Sequence, residues 1–264
     1  MILLRLDKKD YIAHIKDKDQ ILNMRRVLDK IEMVLDRHTV ESTDFMDPYE
    51  RRLARSIINR FNEISYEELG GLEEAERKII LLYPDYYEYN EMDIPIRSLA
   101  IEGDIGKLSH RDFLGALLNL GINREKIGDI LINKEQVQLV VKEDILDFIL
   151  ISLERVANKR VKAKEIPLKD LSMGTINYKD VVITISSLRL DALISGVWNL
   201  SRTDSQKLIE SDRVKVNWEP IRRVSKDINE GDIISVKGYG RFILNSIKGV
   251  SRKGRVRVEI RLLI

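Results

Sequence analysis

Residues 188 to 241 read LRLDALISGVWNLSRTDSQKLIESDRVKVNWEPIRRVSKDINEGDIISVKGYGR. Leu190, Leu193, Ile194 and Val197 recur at three and four spacing, which predicts the buried stripe of a short helix, with Arg189 and Asp191 flanking its start. Ser201 is a good N-cap with Asp204 three residues on, so a second short helix follows, turning Leu208 and Ile209 inward. Val214-Lys215-Val216-Asn217 alternates apolar and polar, the pattern of a strand that puts Lys215 and Asn217 on one face. Gly231-Asp232 turns the chain into Ile233 to Val236, and Gly238 and Gly240 allow a sharp bend before Arg241. Val181 to Ile185 reads as a leading strand. Arg241 to Val250 and Arg255 to Leu263 read as a closing hairpin joined through Ser251-Arg252-Lys253-Gly254. Two short helices and a small twisted sheet are expected, presenting one basic face.

Charge supports that face. The chain of 264 residues carries a net +2, but residues 1 to 75 hold 13 Lys/Arg against 16 Asp/Glu, residues 76 to 165 hold 14 against 16, and residues 166 to 264 hold 18 against 11. The whole positive excess lies in the last third. A localised positive field favours a polyanion by counterion release, and structured RNA is the ligand this arrangement suggests. Asp191 in the first turn favours the helix dipole and orients Arg189, whose planar fork suits a phosphate better than an ammonium does. Arg202 and Thr203 at the start of the second helix add backbone donors and a guanidinium to one phosphate-sized site. Lys207, Lys215, Arg222, Arg223, Lys226 and Arg241 extend the surface, and Ser201 and Asn217 shape it.

Upstream, residues 1 to 75 predict a small helical domain. Ile21, Leu22, Met24, Val27, Leu28, Ile31, Val34 and Leu35 form an amphipathic stripe over Lys18 to Arg37, and Asp47-Pro48 begins a second helix running to about Phe61. Its Arg25-Arg26, Arg51-Arg52 and Arg55 read as a solvated charged face. From 76 to 166 short β-rich runs (Ile79 to Tyr83, Ile94 to Ile101, Ile127 to Ile132, Val137 to Val141, Arg160 to Ile166) alternate with helices at Ser109 to Leu120 and Asp144 to about Val156. That order predicts an α+β sandwich with the topology of an RNA-recognition motif, although the aromatic-rich signature that lets such sheets stack bases is not visible on these strands. Tyr83, Tyr86, Tyr87 and Tyr89 crowd together after the first run and read as packing residues. Residues 167 to 178 read as a linker before a C-terminal domain at 179 to 264.

Residues 189 to 241 resemble the S-four domain, the RNA-binding module named after ribosomal small-subunit protein four: R-L-D, then S-R opening a helix, V-x-V-N, G-D and G-x-G-R. Trp218 departs from the pattern, standing where many members have glycine. Glu102-Gly103-Asp104-Ile105-Gly106-Lys107, His110 to Leu117 and Gly121 to Ile130 are similar to the middle domain of the bacterial YlmH family, so the resemblance covers nearly the whole chain. It implies an α+β protein with an N-terminal helical part, a recognition-motif-like middle and a C-terminal S-four domain. It also implies a role in ribosome-associated quality control: binding the large ribosomal subunit blocked by peptidyl-tRNA, contacting ribosomal RNA and tRNA, and supporting C-terminal tailing of the stalled chain.

Other chemistries fit less well. The chain has no cysteine, so it lacks disulfides, thiolate metal sites and a cysteine nucleophile, and suits a reducing interior. His14, His38 and His110 lack paired ligand spacing, and Gly103 to Lys107 has the wrong glycine spacing for a P-loop, so no metal and no cofactor are expected. No Gly-x-Ser-x-Gly elbow occurs, and no catalytic residue is assigned. Met1 to Asp7 is apolar too briefly for a signal peptide, and no run approaches a membrane span, which predicts a cytoplasmic protein without membrane contact, read as a monomer. The alternative is an RNA-modifying enzyme, of pseudouridine synthase or ribosomal RNA methyltransferase type, with an appended S-four domain.

Overall fold

The computed structural model describes residues 6 to 133, 136 to 174, 177 to 251 and 254 to 263, and the chain divides into two compact units, Met1–Thr175 and Ile176–Ile264. The opening residues 1 to 5 and, within the predicted Ser251 to Gly254 turn, Arg252 and Lys253 lie outside the described residues. The protein is α+β, as its residue pattern predicts.

The first unit opens with helices α1 (Lys8–Ile12) and α2 (Lys18–Arg37). Asp17 caps α2, and Met24, Val27, Leu28, Ile31 and Val34 are all at most 1% exposed, each stabilising by roughly 1.5–3 kcal/mol relative to water. After β1 (Glu41–Ser42), Asp47 and Glu50 form a reciprocal capping box that starts α3 (Pro48–Ile58) with proline in its first turn. Strands β2 (Ile64–Leu69) and β3 (Ile79–Pro84) complete an antiparallel sheet of order β1-β3-β2. This differs from the sequence reading, which gave Ile79 to Tyr83 to the middle domain. All six β3 residues are buried, and an uninterrupted apolar run does not disclose which sheet it joins. Arg51, expected on a solvated face, is instead buried, with Nε 2.9 Å from Glu68 and Nη1 donating to the carbonyls of Met46 and Glu76. Tyr83 and Tyr89 pack ring to ring at 5.2 Å, while Tyr86 is 70% exposed with its hydroxyl 3.0 Å from Nδ1 of His38.

The remainder of this unit is a second antiparallel sheet: β4 (Ile96–Gly103), β5 (Ile127–Ile132), β6 (Val137–Lys142), β7 (Arg155–Val156) and β8 (Lys159–Ile166), in the order β5-β6-β4-β8-β7. Helices α4 (His110–Asn119) and α5 (Leu146–Ser152) connect them; α5 stops short of Val156, which enters β7 instead. With β7 added as a short hairpin partner of β8, this is the β-α-β-β-α-β arrangement of a recognition motif. Leu99, Ile101, Val137, Leu139 and Val141 face Phe113, Leu117 and Ile149 in the helix-side core.

The opposite face of that sheet is covered as well. Phe45, Ile79 and Leu171 pack there on Ile96, Leu131 and Val140. Gly128 is required at this contact, since a Cβ would lie 2.8 Å from the Phe45 ring. Polar clasps close the seam: Arg77 donates to the Phe45 and Ile127 carbonyls, Asp129 accepts from the Glu76 and Arg77 amides, and Gln138 joins Asp170 and Ser172. Lys142, 6% exposed, donates to Oγ of Ser42 at 2.6 Å and to the Thr43 carbonyl at 3.2 Å. Burial drives its ammonium down to about 8.

The second unit is a six-stranded antiparallel sheet carrying two helices: β9 (Tyr178–Ile185), α6 (Leu190–Trp198), α7 (Arg202–Glu210), β10 (Val214–Val216), β11 (Glu219–Pro220), β12 (Ile233–Val236), β13 (Gly240–Val250) and β14 (Val256–Leu263), in the order β11-β10-β12-β13-β14-β9. Leu190, Leu193 and Ile194 of α6 and Leu208 and Ile209 of α7 share one core with Val214, Val216, Ile234, Val236, Phe242, Leu244, Val258 and Ile260. Both helices therefore cover one face of the sheet. The outer face carries the alternate residues.

Among the described residues no helix is long and apolar enough to cross a membrane, and no three or more His, Cys, Asp or Glu side chains gather as metal ligands.

Candidate nucleic-acid interface

The start of α6 is built by a short antiparallel pairing. The Leu190 amide donates to the Lys226 carbonyl at 2.8 Å and the Ile228 amide to the Leu188 carbonyl at 2.9 Å, so the loop carrying Arg223 and Lys226 runs beside Arg189. Ser201 caps α7, accepting from the Asp204 amide at 3.0 Å and donating to its carboxylate at 2.6 Å. That cap places Arg202 in the first turn, facing α6.

Between the two helix starts sits Asp191, 1% exposed. It accepts from Nε and Nη2 of Arg189, both at 3.2 Å, lies 3.0 Å from Nη1 of Arg202, and accepts from Gln206 at 3.4 Å. Arg202 also reaches Ser186 at 3.4 Å. The two arginine side chains remain 40% and 42% exposed. A guanidinium has five N–H donors, so each arginine can be fixed by the shared carboxylate and still turn donors toward an incoming phosphate. That Asp191 orients Arg189 is legible in the sequence. That the same carboxylate holds Arg202, with Ser186 and Gln206 beside it, is not, because their meeting depends on how α7 docks on α6.

Lys207 and Thr203 are exposed on α7, Lys207 standing 4.0 Å from Asp204 and 73% exposed. Arg223 is exposed, with Nε 3.5 Å from Oγ of Ser225, and Lys226 is half-buried. The loop carrying Arg223, Lys226 and the exposed Asp227 runs beside Arg189 on the helix side of the sheet, and α7 carries Arg202, Thr203 and Lys207.

The other expected ligands fall elsewhere. Lys215 pairs across the sheet with Ser235, and Ser235 with Arg241, whose Nε donates to the Ser235 hydroxyl at 3.1 Å. Their strand neighbours Val214, Val216, Ile234 and Phe242 point into the helix-side core, so Lys215 and Arg241 project from the outer face. The single basic face expected from the sequence is thus two patches on opposite sides of one sheet. The alternation was readable in the chain, but which side the helices take was not.

Asn217 is also corrected. It lies past the end of β10, with φ 49, beside Trp218 with φ 65, and these two residues alone join β10 to β11. Positive φ at both positions is the type I′ hairpin turn. The Asn217 side chain holds the turn, donating to Asp232 at 2.7 Å and accepting from the Ile233 amide at 2.9 Å. Trp218 keeps the left-handed shape that glycine would adopt freely, and the guanidinium of Arg241 stacks over its ring at 5.4 Å. Arg222, expected to hold phosphate, makes a two-pronged bond to Asp212, Nε at 2.5 Å and Nη2 at 2.6 Å, and this pairing holds the Asp212 carboxyl below its usual range. Its charge is largely cancelled, by an acid ten residues earlier that no local pattern connects to it.

Residues 19–87 match the family model "YlmH, N-terminal", residues 89–170 "Putative RNA-binding domain in YlmH", and residues 188–234 "S4 domain". Over 253 residues, 95% of each chain, the protein is 33% identical to "Ribosome-associated protein quality control protein P2" of Bacillus subtilis (strain 168). It also shares a fold, at TM-score 0.52 and 21% identity, with "Cell division protein ylmH from Streptococcus pneumoniae", over 59% of this chain and 95% of that one. Matches to the family's N-terminal and middle models and to the S4 domain in that order, with the near-full-length identity to the Bacillus protein, establish that the chain belongs to the YlmH family.

Proposed function

We propose that the protein is a non-catalytic RNA-binding factor of the translation apparatus. It binds structured ribosomal RNA on the large subunit together with peptidyl-tRNA, and supports C-terminal tailing of stalled chains in ribosome-associated quality control. The carrying observation is the pair of half-exposed arginines, Arg189 and Arg202, locked on the buried carboxylate of Asp191 beside the loop that carries Arg223 and Lys226, with Lys207 exposed on the same α7 as Arg202. Preorganised forks lose little freedom on meeting phosphate, and the positive excess of the last third supplies the long-range attraction. The Bacillus relative, named as a ribosome-associated quality control protein, supports the same reading.

Asp191 also weighs against the alternative of a pseudouridine synthase, whose R-L-D aspartate must reach its substrate. Here the carboxylate is buried and bonded to two arginines and a glutamine.

The test spares Asp191 and its two arginines. Lys207→Ala, Arg223→Ala and Lys226→Ala together remove exposed cations without stranding Asp191, and are expected to abolish co-sedimentation with large ribosomal subunits at moderate salt while leaving the thermal transition unchanged. Undiminished co-sedimentation of that variant overturns the proposal.

A further inference from the structure

Recognition motifs ordinarily bind single-stranded RNA by stacking bases on aromatic residues of the sheet face away from the helices. In this protein that route is closed. Away from the exposed Glu102 at the far end of β4, the residues on that face of the two central strands are Ile96, Ser98 and Ala100 on β4 and Gln138, Val140 and Lys142 on β6. None is aromatic, and none is more than 8% exposed, because Phe45, Ile79 and Leu171 lie over them. The cover ends toward β8. Its inward residues Val161 and Ala163 join the helix-side core, so Arg160, Lys162 and Lys164 occupy the other face, all exposed. Arg155 on β7 pairs directly with Arg160 and is exposed too.

Alternate residues on a strand stand about 6.6 Å apart, twice the rise of about 3.3 Å, which is comparable to the separation of consecutive phosphates on an extended nucleic-acid strand. Among the described residues, none of the four side chains has a hydrogen-bond or ion-pair partner, whereas neighbouring Lys159 is tied to Asp104. Like charges set directly opposite, as Arg155 and Arg160 are, destabilise a sheet, so the row is better explained by an external anion than by folding. The nearest acid on this face is Glu102, exposed and paired across from Lys162.

From this geometry we infer that Arg155, Arg160, Lys162 and Lys164 form a second RNA site, which grips the phosphate backbone at the open edge of the middle sheet in place of base stacking. The inference rests on the RNA-binding reading above but concerns a different surface.

Filter binding of the full chain to radiolabelled large-subunit ribosomal RNA, over a salt series, tests it. With Arg160, Lys162 and Lys164 all changed to Ala, the slope of log affinity against log salt should fall by about 2, since each phosphate left without its cation removes about 0.7. Glu102→Lys adds a cation to the row and should steepen the slope by about 0.7, giving a gain that misfolding cannot mimic. Unchanged slopes in both variants overturn the inference, including the case in which the triple variant instead fails to bind an acidic protein partner. The Lys207, Arg223 and Lys226 variant, run in parallel, reports on the S-four patch alone, so the two proposals fail separately.

Discussion

Asp191→Asn tests whether the carboxylate between α6 and α7 sets the arginines in place. Asparagine keeps the shape but offers one acceptor oxygen and an amide donor; with its oxygen at the position that Arg189 Nε and Arg202 Nη1 share, Arg189 Nη2 and Gln206 lose their acceptor and meet an amide donor instead. Hydrogen bonds to charged groups contribute about 1.5–3 kcal/mol. The larger cost of stranding a buried ion, about 3–5 kcal/mol, is not reached, because the arginines are 40% and 42% exposed and can turn to water. A loss of about 2 kcal/mol is expected, which for a domain of about 60–100 residues lowers Tm by roughly 8–16 °C. The readout is specific: the chain has 2 tryptophans, Trp198 and Trp218, both in the second unit, so tryptophan fluorescence follows that unit alone. The substitution also removes one negative charge from the site, raising its net charge by one. If the field alone governs binding, RNA affinity rises; if arginine geometry governs it, affinity falls, and a fall is expected. A Tm within about 2 °C of the parent, or tighter RNA binding, refutes the reasoning.

Three further substitutions probe the buried Lys142 and the hairpin turn. The Lys142 ammonium is lowered to about 8 from 10.5 by burial, so between these values the unfolded chain holds a proton that the folded chain lacks, and stability rises with pH across that window. Relative to Lys142→Met, urea unfolding followed by circular dichroism should show the parent gaining up to about 3 kcal/mol between pH 8 and pH 10.5, at 1.36 kcal/mol per unit, and a pH-independent difference between the two proteins would remove the case for a buried charge. At the turn, Asn217→Ala strands the Ile233 amide and forces a left-handed alanine, costing about 2–3 kcal/mol, whereas Trp218→Gly relieves about 1–2 kcal/mol of backbone strain but forfeits the Arg241 stack and frees the unfolded chain, for a net change within about 1 kcal/mol. Equal destabilisation by the two substitutions would contradict that division of roles.

Local physics made much of this fold readable. The α2 stripe, the Asp47 box and the Ser201 cap each act within a few residues, and the alternation at Val214 to Val216 marks which side chains share a face. What the chain did not disclose was set by partners distant in sequence. Ile79 to Pro84 joins β1 and β2 because α2 and α3 offer it a core, Arg222 is neutralised by Asp212 across a turn, and Asn217 answers to Asp232 and Ile233 rather than to a ligand. Of the expected site residues, Arg189, Asp191, Ser201, Arg202, Thr203, Lys207, Arg223 and Lys226 lie on the helix side, while Lys215 and Arg241 lie on the outer side. Separating those groups required knowing where the helices dock.

Phe45, seated against Gly128 and Val140, has an evolutionary consequence. The middle sheet has an apolar area on both surfaces and borrows much of the lid over one of them from the segment before it, so recombination that moved the sheet without that lid would lay Ile96, Leu131 and Val140 bare. Lineages that keep the sheet must keep its front companion, and hybrid proteins joined between the two would inherit a bare, sticky plate.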